Sequence, residues 1–341
     1  MLKGYYFLII LMAGFFGCGD RELSRKAKFF YKANDHLYAK EYKEAIELYS
    51  EALNVDQNFK DAYNNRGIAY YEQGKYFQAI EDYTRAIQID STYTDAYFNR
   101  SNAYIQNRKW ERALKDMMVV SGVYQDSTEV YLNFGVIYNN LRQYEKALEA
   151  FDRAGQLDPD NAENYINTAV VYYHLKDWEK ARSSLDAALE IDPKHGHAYN
   201  VKALIFMEEG NYPVALSHIN TALELDPDNP FFLNNRGFAF LKLDQLPQAE
   251  EDINKSIVLK SDNPWSYRNK GIFYYMSGNY DKAITLLTQA FEMDNQLERI
   301  HFYLGQSYSA SNQKDEGCRH FQLAADTGDE EAGQLYQQHC Q

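Results

Sequence analysis

Small and large apolar residues recur along this chain on a fixed period of 34 residues. Ala45, Ala79, Ala113, Ala147, Ala181, Ala215, Ala249 and Ala283 stand 34 apart, and Gly317 takes the next slot. A second column in the same phase is always small: Ala33, Gly67, Ser101, Gly135, Ala169, Ala203, Gly237, Gly271 and Gly305. A third is always large: Tyr49, Tyr83, Met117, Phe151, Leu185, Ile219, Ile253, Leu287 and Phe321. Nine units fit without insertion, starting at Lys26, Lys60, Thr94, Thr128, Ala162, Gly196, Pro230, Pro264 and Glu298. Inside a unit the apolar positions 4, 8 and 11 are four and three residues apart, the spacing of one helical face.

Proline and glycine punctuate the same frame. All seven prolines fall at unit positions 1 (Pro230, Pro264), 18 (Pro213, Pro247) or 32 (Pro159, Pro193, Pro227). Proline is tolerated at a helix's first turn but costs about 3 kcal/mol inside it. Gly74, Gly210 and Gly278 at position 15 suit a left-handed turn that ends a first helix. The pattern therefore predicts two helices per unit and no strands.

A period of this length, with these columns, resembles the tetratricopeptide repeat, which sets a bulky residue at 4, small at 8, aromatic at 11, Ala at 20, large at 24, Ala at 27 and Pro at 32. The unit from Ala162 reads Tyr165, Ala169, Tyr172, Ala181, Leu185, Ala188 and Pro193. The resemblance covers residues 26–331, with departures in the last unit at His301, Lys314 and Gly317. It implies an all-α, right-handed superhelical solenoid with a concave groove. Residues 332–341 are expected to form a short C-terminal capping helix. One helix pair cannot bury its apolar face alone, so stacking builds the core.

The N-terminus reads as an address. Lys3 precedes an uncharged run from Tyr5 to Phe16, then Gly17 and Cys18. That layout is a signal peptide over 1–17 and is short for a membrane span, which needs about 20 apolar residues. Phe15-Phe16-Gly17-Cys18 resembles the lipobox of bacterial lipoproteins, which implies lipidation of Cys18 and a short tether through 18–25. The expected location is a bacterial cell envelope, anchored by lipid on the periplasmic or outer-membrane side.

Charge narrows the partners. Lys+Arg number 35 against 49 Asp+Glu, a net −14, which argues against nucleic acid because phosphate binding needs a basic surface. No nucleophile elbow, Walker loop or dinucleotide fingerprint is present, so neither catalysis nor a cofactor is expected. His195 and His197 lie together at a unit junction without a third ligand, so no metal is expected there.

The most informative polar column is position 6: Asn65, Asn99, Asn133, Asn167, Asn235 and Asn269, interrupted by Val201 and ended by Tyr31 and Tyr303. Position 6 points away from the 4–8–11 stripe, so these amides are expected to face the groove. An amide donates and accepts, which suits the backbone of an extended peptide. The column is similar to the asparagine ladder in the repeat domain of the O-linked N-acetylglucosamine transferase, which implies peptide contact at these six residues. Four amides would supply roughly 2–6 kcal/mol against an association cost of about 4–15 kcal/mol. Apolar anchors are therefore needed; Phe231 and Trp265 at position 2 offer them, with the charged Arg268 at position 5 beside them. Asp61, Asp95, Glu129 and Glu163 make position 2 acidic in the earlier repeats, so a basic clamp for a terminal carboxylate is not expected.

Cys318 and Cys340 remain beside Cys18, 22 residues apart. In an oxidising envelope they are expected to pair, worth roughly 3 kcal/mol on the chain-entropy model. The combined expectation is a non-catalytic interaction scaffold that holds protein or peptide segments and is attached to membrane through Cys18. The alternatives are an adaptor or regulator of an envelope enzyme, such as a peptidoglycan hydrolase or secretion component, and a soluble periplasmic carrier.

Overall fold

The computed structural model describes residues 21–340; Cys18 and the run before it, the expected leader and anchor, lie outside them. Among the described residues there are nineteen α-helices and no strand. None of those helices is long and apolar enough to cross a membrane. The chain divides into two compact bodies, with the boundary between Gln143 and Tyr144.

The first body holds α1 (Arg21–Tyr38), α2 (Tyr42–Val55), α3 (Lys60–Glu72), α4 (Tyr76–Ile89), α5 (Thr94–Gln106), α6 (Trp110–Ser121) and α7 (Thr128–Asn140). The second begins with α8 (Tyr144–Leu157), α9 (Ala162–His174), α10 (Trp178–Ile191), α11 (Gly196–Glu208), α12 (Tyr212–Leu225) and α13 (Pro230–Lys242). It continues with α14 (Leu246–Leu259), α15 (Pro264–Met276), α16 (Tyr280–Met293), α17 (Ile300–Ala310), α18 (Lys314–Asp326) and α19 (Glu330–Cys340). Within each body, consecutive helices pack as hairpins and each hairpin packs on the next.

The turn inside each hairpin is fixed by position 15. Gly74, Gly210 and Gly278 have φ of 72°, 75° and 76°. Lys40, Arg108, Arg142, Lys176, Asp244 and Asn312 occupy the same position and are left-handed too, at φ 52° to 63°. The turn is thus set by the frame and only assisted by glycine. Two backbone bonds explain it: Gly74 N donates to Tyr71 O (2.8 Å) and Lys75 N to Tyr70 O (2.9 Å). That pair satisfies the last carbonyls of α3 as a Schellman turn. The acceptor at position 11 recurs at Tyr104, Tyr172, Phe206, Phe240 and Tyr274.

The small column lets paired helices touch. A Cβ on Gly271 would lie 2.6 Å from Leu287 Cγ, so α15 and α16 are in contact where the sequence alternates small and large. Every alanine of the 34-residue column, Ala45 through Ala283, is fully buried. The last repeat departs from the frame, as expected: α17 starts at Ile300, two positions late, after Arg299 at φ 55°.

Charged staples cross these contacts. Arg66 donates to both Asp82 oxygens (2.7 and 2.8 Å) within its own hairpin and to Ser50 Oγ (2.9 Å) of the preceding one. Arg100 repeats this with Asp116 and Thr84, and Arg236 with Asp252 and Asn220. Burial is the largest influence on Arg66 and Arg100 and opposes their charges, yet the bonds to Asp82 and Asp116, the charges of those carboxylates and the nearby tyrosines together hold both guanidiniums above their ordinary value. Cys318 and Cys340 are bonded (Cα–Cα 5.6 Å), tying α19 to α18.

Candidate peptide-binding face

The asparagines of position 6 stand on the first helix of each hairpin, and most are committed to the preceding repeat. Asn99 Nδ2 donates to Asn64 Oδ1 at 3.0 Å, Asn235 to Asn200 at 2.9 Å and Asn269 to Asn234 at 2.8 Å. Asn65 and Asn133 reach instead to position 9, donating to Asn34 Oδ1 (3.1 Å) and Asn102 Oδ1 (2.9 Å). The ladder is therefore a line of amide bonds that braces one repeat against the next. Asn167 has no such bond among the described residues.

Exposure separates the column further. Asn65, Asn99, Asn133, Asn167 and Asn235 are half-buried and retain hydrogen-bonding capacity at the surface. Asn269 is fully buried, against the expectation that the whole column faces a groove. Arg268 beside it is 7% exposed, so it too is enclosed, where an open anchor was expected. The physical reason is local: Trp265, Phe238 and Tyr303 supply rings that cover the guanidinium, at 4.5, 5.3 and 6.0 Å from ring centroid to Cζ. Trp265 is half-buried against the core of the last repeats, whereas Phe231 is 45% exposed at the start of α13.

The acidic position-2 row is partly engaged within the array. Asp95 accepts the Tyr124 hydroxyl at 2.8 Å, and Glu163 faces His195 Nε2 at 3.3 Å. The His195 bond and charge hold the Glu163 carboxyl below its ordinary value. His197 instead packs edge-on to Phe232 at 5.1 Å, and burial lowers its imidazole. Among the described residues no group of three or more His, Cys, Asp or Glu is arranged to hold a metal ion.

Two features of this face escaped the sequence reading, although both leave a spacing signal. Amide partners stand 35 or 31 residues apart, at Asn64/Asn99, Asn200/Asn235, Asn234/Asn269, Asn34/Asn65 and Asn102/Asn133. Staple partners stand 16 apart at Arg66/Asp82, Arg100/Asp116 and Arg236/Asp252. A 34-residue comparison aligns identical positions and so passes over contacts between different ones.

Comparison with known families bears directly on this arrangement. A tetratricopeptide repeat model matches residues 134–206, and a TPR repeat model matches 33–74, 69–107 and 203–244, together more than half of the chain. The chain belongs to the tetratricopeptide repeat family. No relative is found among curated protein sequences. Among solved structures, this TPR protein is similar to the APC/C hetero-tetramer Cut9–Hcn1, with TM-score 0.65 at 15% identity, over 93% of this chain and 76% of that one. At that identity the likeness is one of fold. Pseudomonas aeruginosa PilF matches with TM-score 0.49 at 16% identity, over 62% of this chain and 96% of its own. A tetratricopeptide repeat protein of Parabacteroides merdae matches with TM-score 0.45 at 18% identity, over 83% and 99%. The repeat array makes this chain a protein–protein interaction scaffold.

Proposed function

We propose that this TPR protein is a non-catalytic scaffold of a bacterial cell envelope that holds an extended segment of a partner along the position-6 face. The observation that carries the reading is the exposure of Phe231 on the same helix as half-buried Asn235. An aromatic ring left in water beside a line of amides is the composition of a binding hot spot with backbone-directed hydrogen bonds around it. The membrane attachment belongs to Cys18, whose lipidation would keep the array near a bilayer, each buried CH₂ contributing about 0.8 kcal/mol.

The test is affinity capture from native membranes with the wild-type chain, Phe231→Ser and Asn167→Ala. Neither side chain braces the array, so both variants should fold and accumulate normally. Selective loss of the same partner from both is expected; retention of every partner by both rejects this face. Mass spectrometry of the mature chain is expected to find Cys18 as an acylated N-terminus. An unacylated mature N-terminus would favour the soluble carrier instead.

A further inference from the structure

Arg268 is a buried cation without a carboxylate. Its Nε and Nη2 donate to Asn269 Oδ1 (3.2 and 3.1 Å) and its Nη1 donates to the Glu298 carbonyl (3.0 Å). Those acceptors are neutral. A guanidinium has five N–H donors, so one hydrogen on each terminal nitrogen is left over. Arg66, Arg100, Arg236 and Arg299 each bond a carboxylate at 2.6 to 3.0 Å. Among the described residues Arg268 bonds none. Enclosing a charge without a counter-charge is unfavourable, and the array accepts it at this position alone among these arginines.

The guanidinium is surrounded by side chains of the second body. Tyr173 of α9 hydrogen-bonds Glu208 of α11 at 3.1 Å. It also lies close enough to Arg268 and Glu298 to feel their charges, although they belong to repeats three and four further along. Trp265 and Tyr303 stand beside the arginine. Buried Asn269 fixes the plane of the guanidinium from behind. At this repeat the ladder amide both bridges to Asn234 of the preceding repeat and positions a charge.

We propose that Arg268 receives a side-chain carboxylate from an extended partner segment that reaches it between these rings, an inference that rests on the peptide-binding reading of the same face. One free hydrogen on each terminal nitrogen matches the two oxygens of a carboxylate. The aromatic walls exclude water and strengthen that bond. The chain's net charge of −14 repels strongly acidic segments as a whole. The fitting ligand is therefore a mostly uncharged segment with one isolated Asp or Glu. At physiological salt the screening length is about 8 Å, which weakens the general repulsion more than a buried contact.

The test uses immobilised full-length chain and acetylated nonapeptide pools, amidated except for the third, randomised at uncharged flanking positions. One pool has Glu fixed at its centre, a second has Gln, and a third has central Gln with a free terminal carboxylate. At physiological salt the wild-type chain is expected to retain the Glu pool at least tenfold over the Gln pool. Arg268→Gln should abolish that preference and Arg268→Lys should keep part of it, both checked for native helicity. The wild-type comparison stands even where a variant fails to fold. Equal retention of Glu and Gln pools leaves the peptide-binding reading in place and overturns the carboxylate site. Retention of neither overturns both. Preference for the free-terminus pool over the Glu pool overturns the side-chain assignment, as does a folded Arg268→Gln that still prefers Glu.

Discussion

Lys176 and Gly210 occupy the same place in successive repeats, and both backbones are left-handed, at φ 58° and 75°. For a residue with a Cβ that conformation costs about 1–2 kcal/mol, while glycine loses about 0.5–1 kcal/mol more chain entropy on folding. The first term wins, so Lys176→Gly should stabilise the array by about 0.5–1 kcal/mol in a urea melt, and Gly210→Ala should destabilise it by a similar amount. The staples make the opposite kind of claim. Asp116 is 5% exposed and both its oxygens are taken by Arg100. Arg100→Leu strands that carboxylate and should cost about 3 kcal/mol, whereas Arg100→Leu with Asp116→Leu should recover most of it. A double variant no more stable than the single one would show that the arginine's packing, and not its charge, is what matters.

At the scale of the element, the C-terminal end concentrates chemistry that the other hairpins lack. The bond from Cys318 to Cys340 anchors α19, whose only fully buried residue is Ala332. Denatured without reductant, the protein should show no thiol from this pair, and reduction should lower the stability of the final hairpin and α19 by about 3 kcal/mol. On α18, His320 is buried beside His301 (Nδ1 to Nδ1 2.9 Å) and Arg319 (Nη2 to Nε2 3.2 Å), with its ring stacked on Tyr308. Burial, then the charges of Arg319 and His301, hold His320 down at about 4, with Glu316 opposing. The unfolded chain takes up this proton near pH 6.5, so it binds more protons than the folded one between there and pH 4. Stability from this group is complete above pH 6.5 and is lost as pH falls toward 4, by at most about 3 kcal/mol. His301 is lowered by burial as well and adds in the same direction. Thermal melts across that window should flatten in His320→Phe; an unchanged slope would assign the acid sensitivity to carboxylates elsewhere.

For the whole molecule, the sequence makes the hairpins legible because packing repeats: the Ala45-to-Ala283 column and the position-15 turn each report one physical requirement many times over. What stays hidden is lateral. Asn99 and Asn64 belong to different columns, so nothing in either column alone says that the two meet, and position 6 looks free when only the 4–8–11 stripe is counted as packing. Arg268 is visible as a single departure in a column of amides and apolar residues, but its enclosure is not, because the rings that cover it come from Phe238 and Tyr303 of the neighbouring repeats. The bracing role also changes how the ladder must be tested. Asn200 is 8% exposed, so Asn235→Ala leaves its carbonyl without a donor and should cost about 1–3 kcal/mol. Among the described residues Asn167 makes no hydrogen bond, so Asn167→Ala should shift the melt by under about 0.5 kcal/mol. If the column serves a ligand, Asn167→Ala weakens partner capture at unchanged stability. If it serves only the array, Asn235→Ala lowers the melt, Asn167→Ala changes neither quantity, and partner selection has to be sought at Phe231 and Arg268.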